Sequence, residues 1–163
     1  MRYDNSHVRR QDRLLPEEAA LDLLRHGEYG VLSMKAGPES VVYGIPVNYV
    51  WDGLHTIYIH CASEGRKLRL IEAEPEVSFC IVGRTNVLSS KFTTEYESVV
   101  LDCTARTGLP EEERHLALEL FIGKYSPLDI ETGLAYIEKS FRRTEIIRLD
   151  INDFSGKTKK SGV

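Results

Sequence analysis

The stretch from Glu28 to Cys61 constrains the fold of this chain most. Three β-rich runs follow one another there, Tyr29 to Met34, Val41 to Trp51 and Leu54 to Cys61, divided by Ala36-Gly37-Pro38 and by Asp52-Gly53. Period-2 order of β-branched and aromatic residues builds strands, and Asp-Gly is a strong hairpin signal because both residues tolerate positive φ. Further strands are predicted at Val77 to Val82, Glu95 to Thr107 and Thr144 to Ile151. An open meander of six strands would leave two bare edges, and closing the sheet removes them. The predicted fold is therefore mainly β with flanking helices: a small six-stranded antiparallel barrel with helices packed outside.

Helical spacing appears in four places. Pro16-Glu17-Glu18 opens a short amphipathic helix carrying Ala19, Ala20, Leu23 and Leu24, with Gly27 just past its end. Ser63 to Glu74 reads as a second helix, stopped by Pro75. A third begins at Pro110 with Glu111, Glu112 and Glu113 in its first turn, and Leu116, Leu118, Leu120, Phe121 and Ile122 are its expected buried stripe. A weaker helix runs from about Gly133 to Phe141. No repeat or linker interrupts this order, so one domain is expected over residues 14–157, with a polar arm at 1–13 and a flexible tail at 158–163.

The 163 residues suffice for one sizeable core. A formal net charge of −4 gives no field to attract nucleic acid or anionic lipid, and the only dense basic run is Lys157, Lys159 and Lys160. Neither nucleic acid nor a membrane is an expected partner. Cys61, Cys80 and Cys103 are odd in number, lie in apolar runs and show no metal spacing, so they are read as buried thiols of a reducing compartment. Met1 to Arg13 is charged throughout, unlike a signal peptide, and the longest uncharged stretch, Ser40 to Trp51, is too short to span a bilayer. A cytoplasmic location is expected.

Three stretches could carry chemistry. In Ile57-Tyr58-Ile59-His60-Cys61-Ala62-Ser63-Glu64-Gly65-Arg66-Lys67-Leu68 a strand runs through a small-residue loop into a helix, with Ser63 as the expected N-cap. Free amides at a helix start, a glycine and two cations suit a phosphate, and they equally suit an ordinary capped helix. In Tyr43-Gly44-Ile45-Pro46-Val47-Asn48-Tyr49, proline and glycine inside a strand leave an irregular backbone that a flat ligand can approach, or simply a bulged edge strand. In Lys91 to Val100, alternation places Thr94, Tyr96 and Ser98 on one face, suited to phosphate or ribityl contacts or to plain solvation.

Taken in order, Ile45-Pro46-Val47-Asn48-Tyr49, Ile57-Tyr58-Ile59-His60 with Ser63-Glu64-Gly65-Arg66-Lys67, Val77-Ser78-Phe79-Cys80, Tyr96-Glu97-Ser98-Val99-Val100 and Ser155-Gly156-Lys157 resemble the flavin-binding split-barrel superfamily typified by pyridoxamine 5′-phosphate oxidase. Within it they resemble the nitroimidazole-resistance (Nim) type of flavoprotein, over most of the chain from about Tyr29 to Lys157. The resemblance implies a six-stranded antiparallel split β-barrel that forms a homodimer, with two FMN molecules in clefts between the subunits. It implies that Pro46, Val47, Asn48 and Tyr49 lie along the isoalloxazine ring and that Ala62, Ser63, Arg66 and Lys67 hold the phosphate end. Tyr96 and Ser98 would complete the site from the partner subunit. His60 matches the histidine beside the flavin in Nim-type proteins, the implied catalytic residue and a cofactor contact.

An FMN-dependent oxidoreductase acting on small planar electrophiles such as nitroaromatic compounds is the implied function. The alternatives are a flavin- or haem-binding carrier or sensor of the same fold, or a pyridoxamine-phosphate-oxidase-type enzyme. Against the last, the chain has Arg148-Leu149 near its final strand but no tryptophan there, its only one being Trp51. Glu111, His115 and Glu119 share a helix face, yet two acids and one histidine on an acidic helix are read as solvated, and no metal is expected. No Ser/His/Asp elbow or GxGxxG motif supports a hydrolase or a Rossmann fold.

Overall fold

The computed structural model describes residues 1–35 and 41–160; the predicted Ala36-Gly37-Pro38 turn lies outside them. Six long strands, β2 (Tyr29–Lys35), β3 (Val42–Asn48), β5 (Thr56–Ala62), β6 (Glu76–Leu88), β7 (Thr93–Arg106) and β8 (Thr144–Lys159), are joined by two short ones, β1 (Arg2–Tyr3) and β4 (Val50–Trp51). The helices are α1 (Glu17–His26), α2 (Arg66–Ala73), α3 (Glu111–Tyr125) and α4 (Ile130–Ser140). None of them is long and apolar enough to cross a membrane.

Hydrogen bonding follows the path β3-β2-β6-β7-β8-β5-β4. Its two terminal strands, β3 and β4, are separated in the chain by Tyr49 alone. The sheet must therefore curl until its edges meet, which makes it the expected antiparallel split barrel. Alternation fills the interior with Leu32, Met34, Ile57, Ile59, Phe79, Ile81, Val99, Leu101, Ile147 and Leu149, and Ala20 and Leu24 of α1 are equally buried in the same core. A second cluster coats the outside of β5 and β8, where Tyr58 and Ile146 pack on Ala117, Leu118 and Phe121 of α3 and Ile137 of α4. β5 is thus covered on both faces from Thr56 to Ile59, the reason Ile57-Tyr58-Ile59 reads as an apolar run without alternation.

Tyr49 closes the barrel. Its side chain is wholly buried and its ring meets Phe79 edge-on at 5.2 Å. Its hydroxyl donates to the Leu24 carbonyl at 2.8 Å, one of the helix-end acceptors that α1 cannot satisfy itself. Tyr49 belongs to neither strand, and its backbone is paired by α3 side chains. The amide donates to Tyr125 Oη at 3.1 Å, and the carbonyl accepts from Lys124 Nζ at 3.0 Å and from Tyr125 Oη at 2.7 Å. Lys124 Nζ also stands 3.9 Å over the Tyr49 ring.

Several predicted boundaries move. β8 continues to Lys159, pairing Thr158 with Glu97 and Lys159 with Tyr96, so these two residues, expected in a flexible tail at 158–163, belong to the sheet. The irregularity opposite Asp102/Cys103 inserts Asn152 and resets the alternation, which hides the strand's second half from pattern reading. β6 likewise runs on to Leu88 past a bulge at Gly83-Arg84. α4 starts at Ile130, before the expected Gly133. Leu116 is exposed, because α3 turns Ala117, Leu118 and Phe121 inward instead. The arm is held: β1 pairs with β8 in parallel, Tyr3 packs on Phe154 with ring centroids 4.8 Å apart, and the Tyr3 hydroxyl donates to the Leu15 carbonyl. Gly156 permits this approach, since a Cβ there would lie 2.8 Å from Tyr3 Oη.

Tyr49→Phe is expected to lower the unfolding free energy by about 1–3 kcal/mol, the cost of leaving a buried acceptor without its donor. In a urea titration the midpoint falls with the slope unchanged; an unaltered midpoint would mean that the hydroxyl does not hold the seam.

Candidate functional site

Barrel closure brings β3 alongside β5, with the start of β3 beside the start of α2. At α2 the N-cap is Gly65, not the predicted Ser63, and no side chain caps the helix. Gly65 has φ 153°, a value that favours glycine, and the space around its missing Cβ is open. The first amides of α2 therefore face outward without a side-chain acceptor. The first turn also lacks acids and carries Arg66 and Lys67. Cations at the positive end of a helix dipole are locally unfavourable, and an anion bound there would reverse the sign of that effect. Arg66 is steadied by Tyr43 of β3, its guanidinium 4.1 Å over the ring.

The predicted strip from Pro46 to Tyr49 divides by side. Pro46 and Asn48 face outward and are exposed, with Asn48 Nδ2 donating to the Glu28 carbonyl at 2.9 Å. Val47 is half-buried against the barrel core, and Tyr49 lies inside it. Of the four residues expected along a ligand ring, Pro46 and Asn48 therefore turn their side chains outward, whereas Val47 and Tyr49 could meet a ligand on that side only through their backbone.

His60 lies on the outer side of β5, one edge accessible and its ring against Phe121 of α3, edge-on at 4.6 Å. With Asn48, Phe121 and Tyr125 it lines a depression of about 290 Å³. Burial against these neighbours, and secondarily the charge of Lys67, holds its pKa below the usual histidine value. His60 is therefore neutral at neutral pH. Ala62, at the end of β5, and Ser63, in the following loop, are exposed beside the α2 amides. Asn48, His60, Ala62, Ser63, Arg66 and Lys67 accordingly occupy one corner of the molecule.

Tyr96 and Ser98 do not join them within the one chain. Tyr96 lines a groove with Arg84, Glu95 and Lys159, and Ser98 lies opposite Val82 and Lys157. Ser98 shares an outward face of β7 with Val100, which is 40% exposed. A continuous row in register, Pro46, Val31, Cys80, Val100, crosses β3, β2, β6 and β7 on that face.

Sequence reasoning missed Phe121 and Tyr125. Both sit about sixty residues beyond His60 on a helix whose pattern signals only burial, and no local motif marks them. Arg148 is paired with two carboxylates, its Nε 2.7 Å from Asp150 Oδ1 and its Nη1 3.1 Å from Glu113 Oε1. Of the cysteines only Cys103 is buried, its thiol pushed up to about 12 by desolvation; Cys61 and Cys80, expected to be buried, are half-exposed strand residues. His115 stacks on Phe141 at 3.9 Å.

The family profile described as pyridoxamine 5′-phosphate oxidase matches residues 16–158 of the chain. No curated protein matches it. Among solved structures, it is similar to a candidate 5-nitroimidazole antibiotic resistance protein from Bacteroides thetaiotaomicron (15% identity, TM-score 0.74, covering 89% of this chain and 86% of that one). It is also similar to a FAD-binding protein from Mesorhizobium loti (18%, TM-score 0.64, covering 91% and 98%). A third is a FAD- and haem-binding protein from Mycobacterium smegmatis (17%, TM-score 0.71, covering 89% and 72%). At these identities the likeness is one of fold.

Replacing Lys67 by Gln should raise the His60 pKa toward its ordinary value of about 6.5, because one of the two causes depressing it is removed. Ring-proton NMR titration reads this directly; an identical titration in both proteins would leave burial as the sole cause.

Proposed function

The chain belongs to the pyridoxamine 5′-phosphate oxidase family, and from that membership we propose that it is an FMN-binding oxidoreductase that reduces small planar electrophiles, nitroaromatic compounds among them. The observation that carries this reading is the corner where the uncapped, cationic start of α2 meets the outward strip of β3 and His60. Its donor set, outward amides with Arg66 and Lys67, fits a phosphate. The strip bearing Pro46 and Asn48 offers a flat, partly polar surface to a ring system. When bound, the flavin supplies hydride or electron transfer to an acceptor.

The chain's own residues perform the rest. The α2 amides, Ser63, Arg66 and Lys67 anchor the phosphate end, and Ala62 leaves room for it. Asn48 presents its side-chain amide at the ring edge, already oriented by the Glu28 carbonyl. Phe121 and Tyr125 keep water from one side of His60, whose ring nitrogen exchanges a proton with the substrate. Because the His60 pKa is lowered, the protonated, donating form is scarce at neutral pH and grows as pH falls below 6.5. A proton-donating role thus predicts turnover that rises toward acid pH.

Homodimerisation is part of the proposal. The row Pro46, Val31, Cys80, Val100 is an exposed or half-exposed stripe, extended by Val82 at 52% and Val42 at 65% exposure. It begins at the proposed flavin strip and ends beside Ser98. Two copies packed about a two-fold axis on this stripe would bring the partner's Ser98 and Tyr96 toward Pro46. Arg148 is occupied by two carboxylates, which speaks against a substrate phosphate there and against vitamin B6 oxidation. A second reading, a carrier or sensor of FAD or haem, is favoured by the relatives from M. loti and M. smegmatis.

A visible spectrum of the purified protein, with mass identification of any released chromophore, is expected to give flavin bands and FMN. FAD or a Soret band would move the assignment to the second reading, and failure to take up added FMN would overturn the first. His60→Ala is expected to retain FMN and to lose turnover by roughly 10²-fold or more, as for a positioned acid–base group. Val100→Glu is expected to dissociate the dimer and release flavin together; a monomer that keeps its flavin would disprove the shared site.

A further inference from the structure

We propose that the groove between α3 and α4 seats the substrate, and that it takes neutral aromatic molecules while rejecting phosphorylated ones. This inference rests on the oxidoreductase reading and names its substrate class. The groove encloses about 380 Å³, the lower end of the range for ligand pockets and enough for one or two rings. It shares His60, Phe121, Ile122 and Ser126 with the depression that Asn48 lines, so the two adjoin along a wall that includes His60. A ring seated in the α3–α4 groove would have one end at that shared wall.

The lining determines which ring. Leu118, Phe121, Ile122 and Ile137 make it apolar, and its width is set where Ile122 packs on Gly133, at 2.8 Å from the position of a Cβ. Asp129 is the only carboxylate that lines it, and no lysine or arginine does, among the described residues. The cations of α3 point elsewhere: Arg114 donates to the Phe141 and Thr144 carbonyls, and Lys124 to that of Tyr49. A dianionic phosphate entering here would lose its hydration, find no counter-charge and meet Asp129. A neutral aromatic ring loses little hydration and gains contact with the apolar lining and with the exposed Tyr136 ring.

The test uses two probes that share a nitrophenyl group, 4-nitrotoluene and 4-nitrophenyl phosphate, with binding read by saturation-transfer NMR on the protein with and without added FMN. The wild type is expected to bind 4-nitrotoluene and not the phosphate. Thr132 is exposed at the groove wall, so a larger side chain there blocks the groove without entering the core. Thr132→Trp is expected to weaken 4-nitrotoluene at least about tenfold with FMN uptake unchanged, and Thr132→Lys to gain binding of the phosphate. Equal binding of both probes by the wild type, no binding of 4-nitrotoluene, or affinity indifferent to both substitutions would overturn the proposal. FMN uptake is measured separately. Thr132-dependent binding in a protein that takes no FMN upholds the groove and removes the flavin reading, whereas FMN uptake with Thr132-independent binding overturns the groove alone.

Discussion

Everything in this molecule depends on one residue step. β3 and β4 lie at opposite ends of a path of hydrogen-bonded strands, yet the chain passes from one to the other through Tyr49. Such a step is possible only if the sheet has closed on itself, and at the crossing the backbone cannot stay in either ladder. Its polar groups must still be paired in the interior. They are, by Tyr125 and Lys124 of α3, while the Tyr49 side chain reaches through to the end of α1. Two helices that are distant in sequence are thereby fastened to the same point.

The site is a consequence of that closure. Without it only Asn48, two residues from the Val50–Tyr58 pair, would stand near His60, and the rest of β3 would lie elsewhere. With it, the outward side of β3, the end of β5 and the uncapped start of α2 share one corner, and α3 supplies the wall. The residues that hold the seam and those that shape the site are neighbours in α3: Phe121 lies against His60, and Tyr125 lines the same depression while bonding to Tyr49. Stability and function are coupled here through shared atoms.

Much of this was legible beforehand. The Asp52-Gly53 hairpin, the helix from Glu17 and the alternating inward positions of β2, β6 and β7 follow from local rules, because turn chemistry and period-2 burial act over a few residues. The strip at Pro46 and Asn48 and the basic start of α2 were marked by composition and order, and His60 by the family resemblance. Pattern reading failed where a bulge broke the period, as at Asn152 and Gly83, or where a strand ran on through polar residues, as in Ser155 to Lys159. It also grouped Val47 and Tyr49 with Pro46 and Asn48, although the side chains of the first two face the barrel interior.

The sequence by itself determined the strands, the class of fold and which stretches carry charge and hydroxyls suited to a phosphate, since these are short-range properties of the chain. Only the tertiary structure decided that Tyr49 is core, that Arg148 is occupied by two acids, that Phe121 confines His60 and that a groove without cations opens beside it. Each of these depends on contacts between residues far apart in sequence, whose pairing is set by how the barrel closes.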